Sequence, residues 1–135
     1  MERRITLENR IEAVASVTTF VKEFCEDWGL NSDLVFNLTL ALEEVTTNVI
    51  MYAFPTEEVH TFDIIALRKD DELILVVEDS GLPFDPTQVP EADISLPAEE
   101  RPIGGLGIFL VRKIMDSVEY KREGDKNVLT LRKYI

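Results

Sequence analysis

Glu72-Leu-Ile-Leu-Val-Val-Glu-Asp-Ser-Gly-Leu-Pro-Phe-Asp-Pro86 is the stretch on which the fold turns. Its uninterrupted apolar run, Leu73 to Val77, sits between a Lys69-Asp-Asp71 turn and a break rich in glycine and proline. A run this apolar predicts a central strand, Glu72 to Glu78, covered on both faces or nearly so. Asp79 follows it directly, then Ser80-Gly81. A carboxylate at a strand's end can accept a hydrogen bond from an exocyclic amine, and Gly81 permits close backbone approach or a positive φ. The same three residues also make an ordinary Asp-Ser-Gly turn.

Outward from that strand, Thr61 to Arg68 reads as a neighbouring strand, and Arg3 to Leu7 alternates weakly as a first one. Between them, Ile11, Val14, Val17, Val21, Phe24, Cys25 and Trp28 recur at three- and four-residue steps. That spacing predicts an amphipathic helix over Asn9–Trp28, ended by Gly29. Asn31 or Ser32 caps a second helix with Asp33 in its first turn; it runs to about Tyr52, and Pro55 closes the segment. Residues 81 to 103 carry Pro83, Pro86, Pro90, Pro97 and Pro102, the composition of a functional lid or a disordered segment. A third helix is expected over Gly107–Asp116. A closing hairpin, Ser117 to Arg122 and Lys126 to Tyr134, is expected around Glu123-Gly-Asp-Lys126. Apolar helix stripes need a common sheet to bury against, so the expected fold is α+β in two layers, one domain over residues 1–135.

The charge balance narrows the partners. The chain of 135 residues has 26 acidic and 14 basic residues, a formal net charge of −12. This argues against non-specific nucleic-acid binding and against anionic membranes, while a basic partner fits. A nucleotide is not excluded, because glycine amides and Mg²⁺ hold phosphates inside acidic proteins. Cys25 is the single cysteine and falls on an apolar helix face, which fits core packing and a reducing compartment. His60 is the single histidine, which removes histidine triads and two-histidine metal sites. The N-terminus lacks the apolar core of a signal peptide, and no uninterrupted apolar run is long enough to span a bilayer; a cytoplasmic soluble protein is expected.

Two further stretches carry chemistry. On the second helix, Leu34, Leu38, Ala41, Leu42, Val45 and Val49 share one face, and Asn37, Glu44 and Asn48 form a narrow polar stripe beside it. Glu43, Thr46 and Thr47 are expected to face outward. Glu44 and Asn48 stand one turn apart, so their side chains point the same way. A carboxylate and a carboxamide oxygen so placed suit Mg²⁺ with water completing its shell; the carboxylate can instead orient or deprotonate a hydroxyl. An ordinary polar helix edge has the same sequence. Gly104-Gly-Leu-Gly107 places three glycines in four residues before a helix, where free amides and the positive dipole end favour a phosphate. It is neither a Walker loop nor the dinucleotide fingerprint, and a flexible hinge has the same composition.

In order and spacing these stretches resemble the GHKL ATPase superfamily, most closely its single-domain anti-sigma-factor serine/threonine kinases of bacterial partner-switching systems. The N box looks like Leu40-Ala-Leu-Glu-Glu-Val-Thr-Thr-Asn-Val-Ile-Met-Tyr-Ala-Phe54. The glycine boxes look like Val77-Glu-Asp-Ser-Gly-Leu-Pro-Phe-Asp-Pro86 and Gly104-Gly-Leu-Gly-Ile-Phe-Leu-Val-Arg-Lys-Ile-Met-Asp116. The resemblance implies a Bergerat-type sandwich, a mixed, mainly antiparallel sheet with three helices on one face. It implies ATP and Mg²⁺ as cofactors. Asn48 would hold Mg²⁺ against the phosphates, Glu44 would be the general base, and Asp79 would bind the adenine amine above Gly81. Gly104, Gly105, Leu106 and Gly107 would contact the phosphates under a lid over residues 85–104. The implied partners are a small anti-anti-sigma antagonist, phosphorylated on serine or threonine, and a sigma factor, with homodimers usual. Tyr52 stands where family members often carry histidine, and Pro83 replaces the second glycine of the Asp-x-Gly-x-Gly form. Asn127 and Thr130 lie on the closing strand, and neither aligns securely with the family's phosphate-binding threonine.

Two other functions share these residues. One is a nucleotide-gated protein-binding module with little or no catalysis. The other is the ATP-binding half of a histidine kinase, which fits poorly because His60 lies near a strand start and no dimerising helical hairpin precedes the domain.

Overall fold

The computed structural model describes residues 1–54, 58–88 and 105–135. In chain order its elements are strand β1 (Glu2–Glu8), a 3-10 turn at Ile11–Val14, helix α1 (Ala15–Asp27) and helix α2 (Ser32–Asn48), continued by a π-helical turn at Val49–Ala53. Strands β2 (Thr61–Lys69) and β3 (Glu72–Asp79), a 3-10 turn at Pro86–Gln88, helix α3 (Gly105–Ile114) and strands β4 (Ser117–Glu123) and β5 (Lys126–Tyr134) follow. Pro55, the part of the expected lid from residue 89 on, and Gly104 lie outside the described residues.

The five strands form one sheet in the order β1-β2-β3-β5-β4. Every pairing in it is antiparallel, so among the described residues the expected admixture of parallel neighbours does not occur. β3 is central, as its apolar run predicts, but its burial alternates. Leu73, Leu75, Val77 and Asp79 are buried, while Ile74, Val76 and Glu78 are only partly covered. The expectation of cover on both faces is therefore corrected: the helices lie on one face, and the period of two along the strand decides which side chains they meet. Leu7, Phe62, Ile64, Ala66, Leu129 and Leu131 extend that inner face and share one core with Val17, Phe24, Leu38, Leu42, Ile108 and Val111 from the helices.

Local sequence explains the helix ends. Gly29 has φ +64, and the amides of Gly29 and Leu30 bond back to the carbonyls of Glu26 and Cys25, closing α1 in a Schellman turn. Two residues later the Asn31 side chain accepts from the Asp33 amide at 2.8 Å and starts α2. Cys25 is packed in the core, where burial pushes its thiol pKa up to about 11.

α2 is covered on more than its sheet-facing side, because it packs between α1 and α3. That corrects two orientations. Thr46 is fully buried rather than outward, and Glu43 is partly buried, accepting a hydrogen bond from the Thr18 hydroxyl on α1 at 3.2 Å. The same cover accounts for its apolarity. Ser32–Ala53 is long and apolar enough to cross a membrane by length and composition alone, yet Leu38, Ala41, Leu42, Val45, Val49 and Ala53 along it belong to the core of this fold.

Candidate functional site

A single row of inward residues crosses four strands at one end of the sheet: Phe62 pairs with Asp79, Asp79 with Asn127, and Asn127 with Arg122. Above that row the π-helical turn after α2 ends at Ala53. The π turn starts directly after Asn48, and such turns gather at functional positions because they re-aim the side chains around them. Val45, Asn48, Val49 and Ala53 from this side meet Val77, Asp79, Tyr120, Asn127 and Leu129 from the sheet around one small cavity, closed by Phe84 and Pro86.

Asp79 is 6% exposed and Asn127 is 4% exposed, so neither can rely on water for its hydrogen bonds. Asp79 Oδ1 accepts from the Gly81 amide at 2.9 Å and from Asn127 Nδ2 at 2.8 Å. Asn127 Nδ2 also donates to the Leu82 carbonyl at 2.8 Å. On its other side Asn127 Oδ1 accepts from the Tyr120 hydroxyl at 2.5 Å, Arg122 Nη1 at 3.2 Å and the Phe84 amide at 3.3 Å. Arg122 Nη1 reaches the Gly81 carbonyl as well, at 2.8 Å.

Gly81 serves close approach and not a positive φ. A Cβ built on it would lie 2.3 Å from the Ala53 carbonyl oxygen, and the Leu82 amide donates to that same oxygen at 2.8 Å. The loop leaving β3 is thereby clamped to the end of the α2 extension. Phe84 stacks on Tyr52 with ring centroids 5.4 Å apart, a second tie between the same two segments. Farther along, the Asp85 carboxylate caps the next turn through the Thr87 amide and hydroxyl, and Arg112 of α3 holds the Thr87 carbonyl.

The structure thus brings Asn48 and Asp79 together at one cavity, with Gly81 bonded to Asp79 but outside the cavity lining. Glu44 stands one turn before Asn48, half-buried, and is not among the residues lining the cavity. Gly105, Leu106 and Gly107 form the first turn of α3, which packs on α2. The helix begins two residues earlier than glycine content suggests, so Gly105 and Gly107 are helical and not part of a preceding bend. Gly104 lies outside the described residues.

The cavity measures about 20 Å³, room for a water molecule and not for a purine ring. A groove of about 400 Å³, lined by Phe54, Glu58, His60, Ser80 and Pro83 among others, opens on the other side of the same Gly81–Leu82 segment. The small cavity is the better candidate for base recognition, because among the described residues it joins the buried carboxylate to Asn48. Among the described residues no cluster of three or more histidine, cysteine or acidic side chains is placed to hold a metal. One amide oxygen with a carboxylate a turn away is the sparse donor set that suits Mg²⁺ carried on phosphates, which brings most of its ligands with it.

Asn127, Tyr120 and Arg122 are the site residues that sequence reasoning left without a role. The usable signal was parity. Asn127 shares the inward positions of Leu129 and Leu131, so it is a polar side chain pointing into a core face.

Comparison with known proteins agrees with this architecture. Residues 7–133 match the histidine kinase-like ATPase domain family. Proteins named serine-protein kinase RsbW from Bacillus cereus strain Q1 and from Bacillus thuringiensis subsp. konkukian are each 29% identical over 143 aligned positions, covering 100% of this chain and 88% of theirs. Among solved structures, the RsbU and RsbW domains of Rv1364c from Mycobacterium tuberculosis superpose with a TM-score of 0.70 at 14% identity. That match covers 99% of this chain and 32% of the other, so this chain spans about a third of it. The SiaB–SiaC complex from Pseudomonas aeruginosa gives 0.60 at 11% identity, over 98% and 89% of the two chains. At those identities the structural matches speak to fold alone. The chain belongs to the histidine kinase-like ATPase domain family.

Proposed function

We propose that this chain is an ATP-dependent protein serine/threonine kinase that phosphorylates a small antagonist protein of the anti-anti-sigma type and sequesters a sigma factor in a bacterial partner switch. The observation that carries the reading is the convergence of Asp79 and Asn48, from two distant segments, on one small cavity, with the Gly81 amide bonded to the Asp79 carboxylate behind it. The full-length similarity to proteins named serine-protein kinases adds the reaction class.

In this reading Asp79 accepts the adenine amine, and Gly81 shapes the pocket floor by letting its loop close on Ala53 while its amide holds the Asp79 carboxylate. Asn48 holds Mg²⁺, which supplies charge neutralisation on the phosphates. Gly104, Gly105, Leu106 and Gly107 contact the phosphates. Glu44 takes the proton of the attacking hydroxyl as the serine oxygen bonds to the γ-phosphorus and the bond to the β-phosphate oxygen breaks, releasing ADP. The protein's contribution is position and charge stabilisation, as in phosphoryl transfer generally. The setting is cytoplasmic and the working form a homodimer.

The test is transfer of labelled γ-phosphate to a candidate antagonist. Glu44→Gln is expected to lower the rate by about 10²-fold or more with ATP binding retained, the usual scale of a lost general base. Full activity in that variant removes Glu44 from its role. The second reading, a nucleotide-gated binding module, draws on the place of Glu44 outside the cavity lining. Tight antagonist complexes without any mass increase after incubation with ATP would favour it.

A further inference from the structure

Among the described residues, Asn127 makes more side-chain hydrogen bonds than any other residue around the cavity. Nδ2 has two hydrogens and gives them to Asp79 Oδ1 and the Leu82 carbonyl, both at 2.8 Å. Oδ1 receives a hydroxyl, a guanidinium and a backbone amide. The amide cannot be turned over: the flipped group would set its oxygen against a carboxylate and a carbonyl, and its NH₂ against three donors. At 4% exposure, such a mismatch would be cut off from bulk water.

The consequence falls on Asp79. Its Oδ1 is engaged twice, by Asn127 and by the Gly81 amide, which fixes the carboxylate plane and leaves Oδ2 without a described donor on a residue that lines the cavity. A fixed carboxylate oxygen in a buried wall accepts from an amino group and repels a carbonyl. A carboxylate free to rotate discriminates far less, because it can swing away from the wrong group.

We infer that Asn127 is a positioning residue that sets the selectivity of the pocket for a 6-amino over a 6-oxo purine by locking the Asp79 carboxylate, with Tyr120 and Arg122 locking Asn127 in turn. The inference rests on the reading of the cavity as a base pocket and adds to it the residue that sets its selectivity. Tyr120 and Arg122 are the outer half of the device: both come from β4, the edge strand, and both donate to the one oxygen that Asn127 does not use on Asp79.

The experiment compares the affinity of ATP with that of inosine triphosphate, which carries a carbonyl in place of the amine, by calorimetry with Mg²⁺. The proteins are wild type, Asn127→Ala and Tyr120→Phe. Tyr120→Phe removes one hydroxyl from a half-buried residue and serves if Asn127→Ala fails to fold. Wild type is expected to prefer ATP by about tenfold or more, the scale of a hydrogen bond to a charged group. Asn127→Ala is expected to lose most of that preference, with inosine triphosphate affinity changed less than ATP affinity; Tyr120→Phe is expected to shift the same ratio in the same direction by less. If both variants weaken the two nucleotides equally, or leave the ratio unchanged, Asn127 is structural and the inference fails while the base-pocket reading stands. If wild type binds ATP and inosine triphosphate alike, Asp79 does not read the amine, and the reading fails together with the inference.

Discussion

Gly81 is where two segments, far apart in sequence, touch through backbone alone. Any side chain there meets the Ala53 carbonyl at 2.3 Å, a contact that backbone cannot relieve without moving the end of the π turn. Gly81→Ala is therefore expected to destabilise by about 1–3 kcal/mol, the range for overpacking a fitted site, and to weaken nucleotide binding by shifting Asp79's loop. Urea unfolding of the variant checks the first part, and an unchanged midpoint contradicts the clamp. The need for glycine was legible in the sequence, but its reason was not. Positive φ and close approach give the same residue type, and only the position of Ala53 separates them. Asn127 shows the same limit from the other side. A polar residue on a core-facing parity is visible in a sequence, whereas the register that sets it opposite Asp79 depends on how β5 pairs with β3 across the long segment between them.

At the scale of elements, α2 carries the site and owes its start to one side chain. Asn31 satisfies the Asp33 amide directly after the Schellman turn of Gly29, so two helix ends are fixed within five residues, Gly29 to Asp33. Asn31→Ala is expected to cost about 1 kcal/mol, the usual worth of such a cap, seen as a lower thermal midpoint with nucleotide affinity little changed; no loss of stability would show that tertiary packing alone starts the helix. Both helix-end signals were readable from local chemistry. The orientation of Thr46 was not, because a helical wheel assumes one covered face and α2 is covered on three sides. The π turn at Val49–Ala53 was equally hidden. It arises where the chain must bring Ala53 down onto Gly81, which no local propensity encodes. In α3 the helix absorbs Gly105 and Gly107 despite their low propensity, the usual outcome when tertiary packing overrides it.

For the whole molecule, the two-layer α+β architecture followed from periodicity alone, since helices with one apolar stripe and strands with a period of two have few ways to share a core. The all-antiparallel order β1-β2-β3-β5-β4 sets the ends of β3 and β5 side by side at the cavity, and the helices deliver Asn48 onto the same end. An acidic chain of net charge −12 accommodates an anionic ligand there only if local groups offset its field; the start of α3 and Mg²⁺ at Asn48 are the proposed means. The cavity of about 20 Å³ further implies that Phe84 and Pro86 give way on binding. All of these points meet in one titration. Isothermal calorimetry of ATP with Mg²⁺ is expected to show uptake of one nucleotide per chain by the wild-type protein, and an affinity lower by about tenfold or more in Asp79→Asn, the scale of a charge-assisted hydrogen bond. Absence of ATP uptake by the wild-type protein, or equal affinity in Asp79→Asn, would contradict the account.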